Sequence, residues 1–133
     1  MVGLPRSGKS TISRELSKRL GAPVVNRDAI RLALHGQRYS PAAEPMVKTF
    51  SRYMIEALFL AGHDVVICDE TNYSRAARQA LKGEWETRFY PVLTSPEVCK
   101  ERAVLTGQAD LIPVIDAMYA RREYLTDEVI YVA

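Results

Sequence analysis

Short apolar, β-rich runs alternate along this chain with longer stretches of helical period. Residues 22–25 read as a strand and residues 29–34 supply the apolar positions of a helix. Residues 46–60 set Met46, Phe50, Met54 and Leu58 on one side, and Gly62 follows as a stop, which predicts a core-packed helix ending just before a strand. That strand is expected over residues 64–68, with Val65, Val66 and Ile67 buried. Residues 86–93 and 128–132 read as two further strands, while Pro96 after Ser95, and Pro113, stand where helices begin. Alternation of this kind predicts a parallel α/β sheet covered by helices.

The strongest local signal opens the chain. Gly3-Leu4-Pro5-Arg6-Ser7-Gly8-Lys9-Ser10 fits G-x-x-x-x-G-K-[ST] in full, and residues 11–20 continue in a helical pattern with Ile12, Leu16 and Leu20 facing inward. In such a loop the glycines let backbone N–H groups wrap a phosphate chain. Lys9 reaches the β and γ oxygens, and the Ser10 hydroxyl sits on Mg²⁺ at a helix N-terminus that already favours anions. Candidate ATP-binding residues are therefore Gly3, Pro5, Arg6, Ser7, Gly8, Lys9, Ser10 and Thr11. Only Met1 and Val2 precede Gly3, so the central strand reads as cut short, and residues upstream of Met1 or a tag are expected to complete it.

Composition narrows the class. With 133 residues there is room for one domain, 1–133, and one core. A formal net charge of +2 is too small to argue a nucleic-acid partner by itself. Cys68 and Cys99 lack ligand spacing and read as reduced thiols. With neither a membrane-spanning run nor a signal-peptide pattern, a cytoplasmic protein is expected.

Asn26, Arg27, Asp28 and Arg31 follow the second strand. A carboxylate at the C-terminal end of a parallel strand lies where open α/β sheets bind ligands. Asp28 is placed to take the proton of an attacking hydroxyl, with Arg31 on the same helix face to hold an acceptor or a developing charge. Equally, Asp28 can cap the helix and pair with Arg31. The third strand runs into Asp69-Glu70-Thr71-Asn72, a Walker-B-like ending in which Asp69 or Glu70 meets a magnesium-bound water.

These segments together resemble the kinase domain of the bacteriophage polynucleotide 5′-hydroxyl kinases over nearly the whole chain. The resemblance rests on residues 3–10, Val25-Asn26-Arg27-Asp28-x-x-Arg31, Asp69-x-Thr71-Asn72 with Arg75 and Arg78 beyond, and Ile112-Pro113-Val114-Ile115-Asp116-x-Met118-Tyr119 running on to Arg122-Glu123-Tyr124-Leu125. It implies a P-loop NTPase fold of the nucleoside-monophosphate-kinase type: a three-layer sandwich with a parallel sheet and a small helical lid. It implies ATP and Mg²⁺ as cofactors, Asp28 as general base, Arg31 on the 5′-hydroxyl and its neighbouring phosphate, Lys9 and Ser10 as nucleotide and metal ligands, and a metal site of Ser10 with Asp69. The family's lid carries two arginines four apart. Arg102 matches the first and Thr106 stands where the second belongs, with Arg121 and Arg122 as candidate substitutes.

The expected activity is transfer of the γ-phosphoryl of ATP to a hydroxyl, foremost the 5′-hydroxyl of DNA or RNA. The alternatives are a small-molecule or nucleotide kinase of the same fold, and a nucleotide-binding regulatory protein with weak transfer activity. Arg6, Arg27, Arg31, Arg38, Lys48 and Arg52 are expected near the acceptor side, which favours a polyanionic acceptor.

Overall fold

The computed structural model describes residues 1–36, 39–83, 85–126 and 128–131, and the chain packs as two compact units. One comprises Met1–Lys9 and Thr71–Ala133, the other Ser10–Glu70. Arg38, and the last residue of the strand expected over 128–132, lie outside the described residues.

In the unit Ser10–Glu70, strands β1 (Val24–Asn26) and β2 (Ile67–Asp69) run parallel, pairing Val24 with Ile67, Val25 with Cys68 and Asn26 with Asp69. A parallel pair needs a long crossover, supplied here by α2 (Arg27–His35) and α3 (Glu44–Leu60). Asn26 ends β1 and caps α2, its side-chain oxygen accepting the Ala29 N–H at 3.0 Å. Asp28 is therefore not the cap, although its pairing with Arg31 is observed.

The inward stripe of α3 is Val47, Ser51 and Ile55, whereas Met46, Phe50 and Met54 are exposed and Leu58 is half-buried. This helix is apolar around much of its circumference, so period alone does not choose the face. The polar member of the buried stripe, Ser51, donates to Glu70 at 3.1 Å. In α1 (Lys9–Leu20) Leu16 is buried and Ile12 half-buried, but Leu20, the last helical residue, is exposed and Ser13 takes an inward position. The strand expected over residues 64–68 starts three residues later, at Ile67, leaving Val65 exposed and Val66 outside the ladder.

In the other unit the segment before the phosphate loop is buried and hydrogen-bonded. Val2 N–H donates to the Tyr90 carbonyl at 2.8 Å and the Val92 N–H donates back to Val2 at 2.7 Å, a parallel bridge centred on Val2 and Pro91. A second parallel bridge joins Phe89 to Ile130. These two bridges stand where full strands were expected over residues 86–93 and 128–132. Gly3 N–H reaches the Thr71 carbonyl at 2.9 Å.

Helices α4 (Arg75–Leu81) and α5 (Pro96–Leu105) are capped by Ser74 and Ser95, and a short 3₁₀ turn, Ala109–Leu111, leads into α6 (Ile112–Ala120). Leu4 of the loop packs with Cys99, Ala103 and Ile115 of α5 and α6, flanked by Tyr73, Leu111 and Met118. One wall of the phosphate loop is thereby part of a hydrophobic core. Neither cysteine is in a disulfide, and burial pushes the Cys68 thiol up to about 12, with Glu70 adding to the rise. No helix among the described residues is long and apolar enough to cross a membrane.

Candidate functional site

Each unit holds one group of candidate residues, and the chain passes from one to the other between Lys9 and Ser10 and again between Glu70 and Thr71.

In the unit Met1–Lys9 with Thr71–Ala133, the loop is shaped by two glycines for different reasons. A Cβ on Gly3 would lie 2.9 Å from Ser7 Oγ and 3.1 Å from the Val92 carbonyl, so only glycine lets the loop fold against that segment. Gly8 has φ of 102°, in the left-handed region that side chains disfavour. Arg6 also sits at positive φ, 63°, a strained conformation for a residue with a Cβ and one that recurs at ligand-binding turns. Thr94 Oγ1 donates to the Ser7 carbonyl at 2.7 Å and Lys9 Nζ to the Leu4 carbonyl at 2.6 Å, so the lysine curls back over its own loop. The Ser7 hydroxyl is buried and has no hydrogen-bond partner among the described residues. An orphaned buried hydroxyl in a loop bent by two glycines and a positive-φ Arg6 suits an anionic ligand such as a phosphate chain, and the loop residues fit that group.

Arg102 reaches this loop from α5, its Nη1 donating to the Arg6 carbonyl at 3.3 Å and lying 3.6 Å from where a Gly8 side chain would begin. Thr106 instead caps α5, its hydroxyl donating to the Arg102 carbonyl at 2.8 Å. Neither proposed substitute is brought to the loop. Arg121 Nε is bonded to the Ala117 carbonyl at the end of α6. Arg122 lies over the Tyr119 ring at 3.8 Å, with its Nε donating to the Tyr124 hydroxyl and its Nη1 to the Tyr119 carbonyl.

In the unit Ser10–Glu70, Ser10 Oγ donates to Asp69 Oδ2 at 2.7 Å, and Asn26 Nδ2 donates to the same oxygen at 2.9 Å. A hydroxyl and a carboxylate held together are the hard oxygen donors that a magnesium ion takes from protein while phosphates and waters fill its other positions. The pair fits Mg²⁺, and among the described residues no cluster of three or more His, Cys, Asp or Glu competes with it. Glu70 is turned elsewhere: its Oε1 lies 3.0 Å from Arg27 Nε and accepts from Ser51, while Oε2 is buried with no hydrogen-bond partner among the described residues. Burial raises the Glu70 carboxyl above its ordinary range, an effect that Arg27 and Ser51 oppose.

Asp28 is exposed on the first turn of α2, and Arg31 Nη1 donates to its Oδ1 at 2.7 Å. The same guanidinium grips Glu44, at the start of α3, through Nε at 3.0 Å and Nη2 at 2.6 Å. Burial alone would pull the Arg31 pKa down, but its bonds to Glu44 and Asp28 outweigh that and hold it above the ordinary value. Glu44 is correspondingly held low, first by the Arg31 hydrogen bond.

Sequence reasoning missed Glu44, Ser51 and the part of Asn26 that touches Asp69. Glu44 carries no signal beyond an acid at a helix start. Asn26 is legible as a cap, but its contact with Asp69 depends on strand register. Arg78, which the sequence offers only as part of the family resemblance, is fully buried, pairs with Glu128 at 2.9 Å and donates to the carbonyls of Asn72, Glu123 and Tyr124.

Comparison with protein families matches residues 1–110 to the family described as AAA domain, a match that ends before the Ile112 segment. No curated protein matches the chain.

Proposed function

We propose, for a chain that belongs to the AAA domain family and has its P-loop fold, that nucleotide binding serves phosphoryl transfer from ATP to the 5′-hydroxyl of a polynucleotide. Membership of that family makes the chain a nucleotide-binding P-loop protein of the kinase/NTPase type. One observation carries the step to a 5′-hydroxyl. Asn26 holds Asp69 through its side chain and caps the helix on which Asp28 stands two residues later, so a metal-binding carboxylate and an exposed carboxylate base are tied together by three consecutive residues.

In this reading the loop amides and Lys9 grip the β and γ phosphates, and Lys9 exchanges the Leu4 carbonyl for phosphate oxygens when nucleotide binds. Ser10 and Asp69 would hold Mg²⁺, which supplies charge neutralisation on the phosphate oxygens. Asp28 accepts the proton of the attacking hydroxyl, and Arg31 orients the acceptor through its phosphate. Arg102 stabilises charge on the transferring group from α5. Asp28 is 70% exposed at its side chain, an openness that suits the end of a polymer better than a metabolite enclosed in a pocket.

The test incubates the protein and its Asp28→Asn variant with labelled ATP, Mg²⁺, and a panel of 5′-hydroxyl oligonucleotides, nucleosides and sugars. Label on the oligonucleotide 5′ end is expected. Asp28→Asn should lower transfer by roughly 10²- to 10⁴-fold while ATP affinity stays within a few-fold. Transfer only to a nucleoside or sugar would overturn the polynucleotide assignment. ATP binding with no transfer to any acceptor would point to a regulatory protein.

A further inference from the structure

We infer that Glu44 is a positioning residue for the acceptor, acting through Arg31 to fix the guanidinium that faces both the base and the incoming phosphate. This rests on the assignment of Asp28 and Arg31 made above. The arginine fork has five N–H donors in one plane. Glu44 takes two of them side-on, through Nε at 3.0 Å and Nη2 at 2.6 Å, and Asp28 takes one from Nη1 at 2.7 Å. A single contact leaves a guanidinium free to swing, whereas a two-point contact fixes its plane and direction. After these three bonds one hydrogen remains on each terminal nitrogen, available to phosphate oxygens of the acceptor.

Burial orders the chain of contacts from inside to outside. Arg31 and Glu44 are only 15% and 14% exposed at their side chains, while Asp28 is open. Glu44 is itself anchored as the first residue of α3, where an acid is favoured by the N-terminal end of the helix and where Ala43 provides no side-chain cap. The inner carboxylate thus anchors the arginine, and the arginine in turn orients the outer carboxylate. Without Glu44, Arg31 can still pair with Asp28, but the plane of the fork is no longer set. A misplacement of about 1 Å at such a group is enough to cost on the order of 10²-fold in rate.

The experiment uses the full chain with ATP, Mg²⁺ and a single-stranded 5′-hydroxyl oligonucleotide, and compares Glu44→Gln, Glu44→Asp, Arg31→Ala and the Glu44→Gln/Arg31→Ala double variant. Glu44→Gln should lower kcat/KM for the oligonucleotide by roughly 10- to 100-fold, mostly through KM, with ATP affinity within about twofold. Glu44→Asp keeps the charge and should recover part of the loss. The double variant should be no worse than Arg31→Ala, since Glu44 has nothing to position once the guanidinium is gone. If Arg31→Ala impairs oligonucleotide use and Glu44→Gln does not, or if the two losses multiply, the positioning inference is overturned while the acceptor assignment stands. If Arg31→Ala leaves oligonucleotide use intact, the acceptor assignment fails and takes this inference with it. An equal loss of ATP and oligonucleotide affinity in Glu44→Gln would show a role in folding only.

Discussion

Replacing Arg78 by methionine should unfold this protein far more readily than the loss of one surface charge would. The guanidinium is fully buried, and it bonds the Glu128 carboxylate and three backbone carbonyls, those of Asn72, Glu123 and Tyr124. Methionine fills the stem volume but leaves Glu128 as a buried charge and three carbonyls without a donor. Removing one partner of a buried pair costs about 3–5 kcal/mol, which for a domain of this size corresponds to a drop in melting temperature of roughly 10 °C or more. Adding Glu128→Gln to the same protein removes the stranded charge, so the double variant should be more stable than Arg78→Met alone.

Arg78 also holds the backbone of Asn72, a residue at φ 47° whose amide donates to the Met1 carbonyl just ahead of the phosphate loop. Nucleotide affinity should therefore fall along with stability.

The pH dependence of stability follows from Glu128. Its carboxyl is held down to about 2 from an ordinary 4.5, first by the Arg78 hydrogen bond and then by the Thr126 N–H. A carboxylate with a depressed pKa in the folded state adds stability that is fully present above its unfolded pKa and disappears as the pH falls through the folded one. The stability gap between the unaltered protein and Glu128→Gln should thus close between pH about 4.5 and about 2. Thermal or urea unfolding followed by circular dichroism across that range measures both effects. A loss under about 1 kcal/mol for Arg78→Met at neutral pH, or a gap that stays constant into acid, would refute the reasoning.

Three further outcomes are expected. Lys9→Ala should reduce phosphoryl transfer by on the order of 10²-fold or more, because a preorganised charge on the transferring group is lost; near-normal turnover would exclude Lys9 as the phosphate lysine. Arg102→Ala should slow single-turnover transfer by at least ~10²-fold, since the side chain already lies on the loop, whereas Arg122→Ala, whose guanidinium is spent on Tyr119 and Tyr124, should stay within about threefold. Oligonucleotide affinity measured by fluorescence titration should fall with salt, with a log–log slope of roughly −0.7 for each phosphate neutralised on a single strand; a flat titration would favour a metabolite acceptor.

The turn at residues 3–10 and the helix after it were legible in the sequence because both are local: a run of consecutive residues dictates the backbone conformation without help from elsewhere. The helices beginning at Pro96 and near Pro113, and the long helix through residues 46–60, were legible for the same reason. Which face of that helix turns inward was not. Its apolar residues surround it, and the choice of Val47, Ser51 and Ile55 over Met46, Phe50 and Met54 was made by the elements packed on it. Strand ends shifted in the same way, since hydrogen-bond partners rather than β-propensity decide where a ladder starts, as Val65 shows.

For the candidate residues the division is similar. Composition and spacing picked out Asp28, Arg31, Asp69 and Ser10 as residue types suited to the chemistry proposed for them. Only the tertiary structure set Ser10 on Asp69 and turned Glu70 away toward Arg27. It also brought Glu44, thirteen residues from Arg31 in sequence, into a two-point grip on that arginine. Long-range contacts of this kind follow from strand register and helix packing, and no short window of sequence contains either.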